Sequence, residues 1–406
     1  MGCSCTLAAL VFTNACQGVD SRDSSPPEEG FRIQAEADTL PSGLVTIRNR
    51  MIPEGAGAVR WSAREDLRLG EGDDPAERFG YPVHVAPGSD GTVYVLNRGP
   101  EEIRVFREDG GSSRTIGLHR LEGREGPVWG LVPLEDGAVM LRDSGGYFFL
   151  SPEGSLLERT HAGFLPAREP YGGTRDASGD LVDWSFEEER RPDKAHGVWR
   201  YRPLRLSPGL AASDSLPPLE LRVALAPGTP IPGPFNSRLM FDVDREGYVW
   251  WAESREYRVW RRTLDGDTVL AFTLDHDPVP VPEDRKARYA QAWSQVHEIR
   301  PEHVPDTEPV IARIVAGSEG MLFVFPNLRG QPAGSTVDVF RDGVFLGRIQ
   351  LSTALSVTVR RPAIVGPWIY GVTEEGTGTG QEFHVVRLRI EGWDPDSLPS
   401  SAPLAR

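Results

Sequence analysis

The sequence predicts an all-β chain built from one repeated unit of four strands. Three observations carry that reading. First, five segments share one form: an apolar strand, an acidic or polar turn closed by glycine, then a strand rich in Val, Tyr or Trp. They are VHVAPGSDGTVYVLNR (83–98), LVPLEDGAVMLRD (131–143), TRDASGDLVDWSF (174–186), MFDVDREGYVWWAESR (240–255) and IARIVAGSEGMLFVFP (311–326). Second, further strands and glycine turns follow: IRVFREDGG (103–111), YFFLSPEG (147–154), YRVWRRTLDGD (257–267) and VDVFRDGV (337–344). Third, the 406 residues include 44 Gly and 35 Pro, many at candidate turns. Glycine supplies the positive φ that such turns need. A unit of strand, turn, strand, loop, strand, turn, strand is the blade of a β-propeller. A β-sandwich has similar hairpins but does not predict two glycine turns per unit at near-constant offset.

Inner strands are expected to begin near Tyr81, Trp129, Tyr171, Arg238, Val310 and Arg361, which makes a six-bladed β-propeller. The third blade is the most degraded, since its outer half VWRYRPLRLS (198–207) has no clean acidic turn. The sixth has Gly366-Pro367 at its first turn, then WIYGV (368–372) and FHVVRLRI (383–390), and lacks a fourth strand. DLRLG (66–70) precedes blade one and has no blade of its own. It is expected to pair with 383–390, close the ring and cover the open edge.

Flanking segments divide the rest. All three cysteines, Cys3, Cys5 and Cys16, precede the propeller, which therefore has no disulfide framework and no thiolate catalyst. TLAALVF (6–12) is an apolar run too short to span a bilayer. With Ala15 directly before Cys16, residues 1–16 read as a signal peptide whose Cys16 is lipidated, although Thr13 stands where Leu is usual. Residues 17–42 are polar, acidic and Pro/Ser-bearing and are expected to act as a flexible tether. GLVTIRN (43–49) alternates as an extra edge strand. The propeller is assigned to 43–392 and a disordered tail to 393–406.

One segment breaks the β pattern. In 282–299, Tyr289, Ala292, Trp293 and Val296 fall at i, i+3, i+4 and i+7, one apolar face of a helix inserted between blades four and five. It either packs on the rim or covers the mouth of the ring.

The run 61–111 (WSAREDLRLGEGDDPAERFGYPVHVAPGSDGTVYVLNRGPEEIRVFREDGG) carries a lead-in strand, a first blade and the next turn. Over about 61–392 the pattern resembles bacterial six-bladed propellers of the NHL-repeat and TolB-like type. The resemblance implies the fold. It does not choose among the binding scaffolds, lyases and lactonases that share it.

Net charge is −15, from 44 basic and 59 acidic residues, which argues against a nucleic-acid partner. The mixed run 187–194 reads as a solvated loop. No Gly-x-Ser-x-Gly, His-Glu-x-x-His, Walker loop or Cys-x-x-Cys is present. Asp275, His276, Asp277, His297, Glu298, His303 and Asp306 share one connection, but their spacing matches no metal set. His84, on an inner strand, reads as structural. No catalytic residue, metal or cofactor is assigned.

Inner-strand starts converge on the channel mouth, so Tyr81, Trp129, Tyr171, Arg238 and Arg361 are the candidate ligand-binding residues, with Arg360 beside them. Aromatic rings with arginines suit carbohydrate, peptide or small anions. The same rings can instead fill the channel and pack between blades. The expected function is a binding or assembly scaffold in the cell envelope, periplasmic or outer-membrane, held to the membrane through its lipid anchor only. It would take protein, peptide or carbohydrate at the mouth. The alternative is a metal-dependent envelope hydrolase or lyase of the lactonase or peptidyl-lyase kind.

Overall fold

The computed structural model describes residues 31–53, 59–72, 77–134, 136–164, 166–167, 178, 180–189, 196–207, 212–224, 237–294, 300–358, 360–376 and 381–395. Cys16, Tyr171 and the 17–30 part of the expected tether lie outside these residues.

Three strands precede the repeats: β1 (Phe31–Thr39), β2 (Val45–Pro53) and β3 (Val59–Leu69). Then β4 (Pro82–Pro87), β5 (Val93–Asn97), β6 (Glu102–Phe106) and β7 (Ser112–Gly117) form one antiparallel sheet in chain order. A second follows the same plan, with β8 (Gly130–Pro133), β9 (Val139–Arg142), β10 (Gly146–Leu150) and β11 (Leu156–His161). The third sheet is irregular. β12 (Leu181–Glu189) pairs β13 (His196–Leu206), which takes both β14 (Ala212–Ser215) and β15 (Leu219–Ala224) on its other side. Among the described residues its inner element is a bridge between Pro166 and Ser185. The strand expected after the glycine turn of 174–186 is β12, and the inner strand expected near Tyr171 lies outside the described residues.

β16 (Leu239–Val243), β17 (Tyr248–Glu253), β18 (Arg258–Thr263) and β19 (Thr268–Leu274) form the fourth meander. β2 extends it in parallel on β19, and β1 pairs antiparallel outside β2. So 43–49 is not an edge, and 31–39 is a strand rather than tether. Its side chains from Gln34 to Thr39 are exposed, so pairing of its main chain, not apolar burial, places it. The helix α1 (Glu283–Ser294) follows, in the connection between the fourth and fifth meanders.

β20 (Ile311–Ala316), β21 (Met321–Pro326), β22 (Thr336–Arg341) and β23 (Val344–Leu351) make the fifth meander, and β24 (Ala363–Val365), β25 (Trp368–Glu375) and β26 (Glu382–Ile390) the last. β3 joins these two into one eight-stranded sheet. It runs parallel to β23 over 59–63 and antiparallel to β26 over 63–69, with Leu69 opposite Val385 and Arg68 opposite Val386. The closing contact expected of 66–70 is thus formed.

Strand alternation explains how the sheets assemble. In β5, Val93 and Val95 pack toward β25 and β26, while Tyr94 and Leu96 pack toward β8–β10. In β21, Leu322 and Val324 face the fourth meander, and Met321, Phe323 and Phe325 face the last. Both faces of each such strand are buried, which is why VYVL (93–96) and MLFVFP are continuously apolar. The apolar clusters lie between consecutive meanders: first and second, second and third, third and fourth, fourth and fifth, fifth and last, and last and first. That cyclic order is a β-propeller arrangement, all-β apart from α1 and one 3₁₀ turn (Pro301–His303) among the described residues.

The tail also needs a correction. Trp393 packs at ring-centroid distances of 5.6 Å from Trp61 and 5.8 Å from Phe323, and the Pro395 carbonyl accepts from Arg341. The chain is anchored at least to that point by an aromatic residue that can bury a large area.

Candidate functional site

Polar corners lie beside the inner strands of four of the meanders. Asn97, fully buried at the end of β5, accepts from the Gly80 and Tyr81 N–H groups at 3.1 and 3.0 Å through Oδ1. After β17, Ser254 Oγ accepts from Arg238 N–H at 2.8 Å, and the Ser254 N–H returns a bond to the Arg238 carbonyl. Asp143, after β9, accepts from the N–H groups of Gly145, Gly146 and Glu125. Asn327, after β21, donates to Pro309 O at 2.7 Å. Two of these corners hold mouth residues, Asn97 holding Tyr81 and Ser254 holding Arg238, and sequence reasoning missed all four. Their signal is a polar residue ending each second strand: VYVLN, VMLRD, VWWAES, LFVFPN.

The candidate residues fall into two groups. Tyr81 is half-buried between the last and first meanders, edge-to-face with Phe383 at 5.8 Å and with the Arg360 guanidinium 5.0 Å from its ring. Arg360 is buried, donating to Pro82 O, Ser356 Oγ and the Glu374 carboxylate. Burial pushes its pKa down to about 10, so it stays charged at neutral pH. Tyr81 and Arg360 hold two blades together. Trp129, Arg238 and Arg361 face other surroundings. Trp129 is half-buried, with the Arg98 guanidinium 4.5 Å over its ring and an indole N–H that has no partner among the described residues. Arg238 is exposed and donates one bond to Thr358 O at 3.3 Å. Arg313, which the sequence did not single out, donates to Val357 O and Thr358 O. Tyr171 lies outside the described residues.

Arg361 reaches furthest. Its Nη2 sits 2.6 and 2.7 Å from the two oxygens of Asp242. Asp242 is on β16 of the fourth meander and Arg361 opens the last one, so this pair crosses the ring. The Asp242 oxygens also accept from the N–H groups of Val243 and Ala316, at 3.0 and 2.9 Å. All four of its lone-pair sites are taken. His84 bridges to Arg361 and accepts the Leu131 N–H at 3.2 Å through Nδ1. Burial, then the charges of Arg361 and Arg142, push its pKa down to about 3, so the ring is neutral. Arg142 itself pairs with buried Asp183 at 2.6 Å, and Tyr147 donates to the same carboxylate. A similar set stands between the fourth and fifth meanders. Tyr257 donates to Asp338 at 2.7 Å and Arg348 pairs with it at 2.6 Å, and burial raises the Tyr257 pKa.

The loose His/Asp group does not assemble. Asp275 pairs with Arg48, Asp306 with Lys286, and His303 accepts from Arg300 N–H. His276 lies 5.7 Å from Tyr257, its pKa lowered by burial, and His297 and Glu298 are outside the described residues. Among the described residues no three His, Cys, Asp or Glu side chains are placed to hold a metal ion. Helix α1 contacts its own connection, through Lys286–Asp306 and Arg285–Glu308. Of the predicted face, Tyr289 is half-buried; the Ala292, Trp293 and Val296 side chains lie outside the described residues. No described helix is long and apolar enough to cross a membrane.

No family model matches the chain, and no curated protein matches it. Among solved structures it is similar to virginiamycin B lyase from Staphylococcus aureus, at 13% identity over 81% of this chain and 99% of that one, TM-score 0.42. It is also similar to a luciferin-regenerating enzyme, at 11% identity over 80% and 96%, TM-score 0.43. Regucalcin, a calcium-binding protein from Agrobacterium tumefaciens, aligns at 11% identity over 82% and 97%, TM-score 0.37. The ring described above rests on its own strand pairing and packing.

Proposed function

We propose that this chain is a six-bladed propeller, of the NHL-repeat or TolB-like type, that works as a binding or assembly scaffold in the cell envelope. Cys16 carries the lipid anchor, and the channel mouth takes a protein, peptide or carbohydrate partner. One observation supports this reading above the others. Arg238, Arg361 and Trp129 come from different blades toward one axis, and each keeps hydrogen-bond donors that no described residue uses. Arginine beside indole rings suits partner recognition. Six blades fit the apolar clusters, one between each consecutive pair of meanders, with the third blade irregular.

The test is binding of the purified protein to glycan and peptide arrays, compared with Arg238→Ala and Trp129→Ala and with thermal melts of all three. Binding lost in both variants at unchanged melting temperature supports the mouth. Array binding retained in both variants places function elsewhere. A metal retained in stoichiometric amount by the purified protein replaces the scaffold reading with the metal-dependent hydrolase or lyase.

Anchoring has its own test. Labelled fatty acid should be incorporated into the wild type and not into Cys16→Ser. Equal label in both, or none in either, removes the lipoprotein.

A further inference from the structure

We infer that the channel floor is an oxyanion site, in which His84 Nε2–H and the free N–H groups of Arg361 hold a carboxylate or phosphate of the ligand. The inference rests on the channel-mouth reading and names the chemistry that the mouth selects.

Strand geometry sets the first donor. Leu134 N–H bonds to Ala138 O across the β8–β9 turn. Leu131 is an odd number of residues away, so its N–H leaves the opposite edge of β8, toward the axis. His84 Nδ1 accepts that N–H. A ring that accepts at Nδ1 carries its proton at Nε2 when neutral. That N–H has no partner among the described residues, although the side chain is 3% exposed. An unused donor on a group this buried is costly unless something accepts from it.

Arg361 provides the rest. Asp242 engages Nη2 alone, leaving Nε–H and both Nη1–H groups without a partner among the described residues. Its side chain is 19% exposed, so these groups are reachable. Asp242 has no lone pair left to compete for them. The Asp242 carboxylate is therefore saturated, while His84 and Arg361 keep donors with no partner among the described residues. Above the floor stand Arg238 and Arg98, whose described side-chain contacts are a neutral carbonyl and an indole face. A chain of net charge −15 thus brings two guanidinium groups with no carboxylate partner among the described residues near its axis. That field favours an anion over a neutral acceptor, and charge-assisted bonds are the stronger kind.

The experiment follows the His84 Nε2 resonance, assigned by its loss in His84→Gln, in the full chain. Sodium phosphate, acetate and glucuronate are titrated separately against chloride at constant ionic strength. A saturable shift with any of them is expected. The strongest response tells whether the source is a phosphate, a simple carboxylate such as a peptide terminus, or an acidic sugar. Arg361→Gln combined with Asp242→Asn removes the pair without orphaning a carboxylate, and should weaken binding about tenfold or more, as loss of a charge-assisted bond implies. Arg238→Gln, on an exposed side chain, should weaken it several-fold. No saturable shift in the wild type overturns the site, whether or not the double variant folds, as does unchanged affinity in a folded double variant. Anion binding with array binding that survives Trp129→Ala and Arg238→Ala keeps this site and removes the mouth reading. Array binding lost in those variants with no anion response does the reverse.

Discussion

His84 shows what a single residue at the axis does to the whole chain. Its folded pKa of about 3 lies below the ordinary 6.5. The unfolded chain therefore takes up a proton first as pH falls. The neutral ring's contribution is fully present above pH 6.5 and is lost progressively toward pH 3, by about 1.4 kcal/mol per unit at most. Urea unfolding at steps from pH 7 to pH 4 should show the wild type losing stability faster than His84→Gln. Parallel curves contradict the assignment. Asp183 gives a second residue-scale expectation. It is fully buried and receives Arg142 and Tyr147, so Asp183→Ala leaves a buried guanidinium short of its partner. A loss of about 3–5 kcal/mol is expected in denaturant midpoints. The sequence made His84 legible as a buried inner-strand histidine. It did not reveal the crossing Arg361–Asp242 pair, because 119 residues separate those side chains and only ring closure brings them together.

At the scale of elements, the glycine turns were plain in the sequence and their second role was not. Gly154 closes the β10–β11 turn at φ 88°, and a Cβ there would stand 2.7 Å from Ile116 Cγ2 on the outer strand of the preceding blade. Gly163 has φ 68° with nothing within 4 Å. Gly163→Ala should therefore cost about 1–2 kcal/mol from backbone strain alone. Gly154→Ala should cost about 1–3 kcal/mol more, from the clash. Equal losses in thermal melts of the two variants would deny that the turn packs between blades. The N-terminal strands were the least legible elements. β1 is polar and exposed, so its alternation gives little signal. What fixes its neighbour β2 is Asn49, fully buried, which donates to Thr273 O and Gly343 O and accepts from Phe345 N–H. One side chain thus ties the fourth and fifth meanders together, and polar residues of that kind look like loop residues in a bare sequence.

The whole molecule is a ring closed from its N-terminal side. β3 is the outer strand of the last meander and also lies along β23 of the fifth, so residues 59–69 staple two blades. Deleting 61–70 exposes β26 and should lower the melting temperature of the entire propeller in one transition. A separate low-temperature transition, with the rest intact, would show that closure is not cooperative. The repeats made this closure legible, since an unpaired strand at each end invites pairing. The third blade, legible as the most degraded, is irregular because β13 pairs two short strands instead of one. The ring also separates two faces. Asp90-Gly91, Asp136-Gly137 and Glu246-Gly247 make tight acidic turns at the end opposite Trp129, Arg238 and Arg361. Hydrogen exchange with and without the strongest array ligand tests the central claim most directly. Binding at the mouth should slow exchange at 128–131, 238–241 and 356–361 and leave exchange at the acidic turns unchanged. Protection confined to those turns, or to the outer strands β7 and β11, would contradict it.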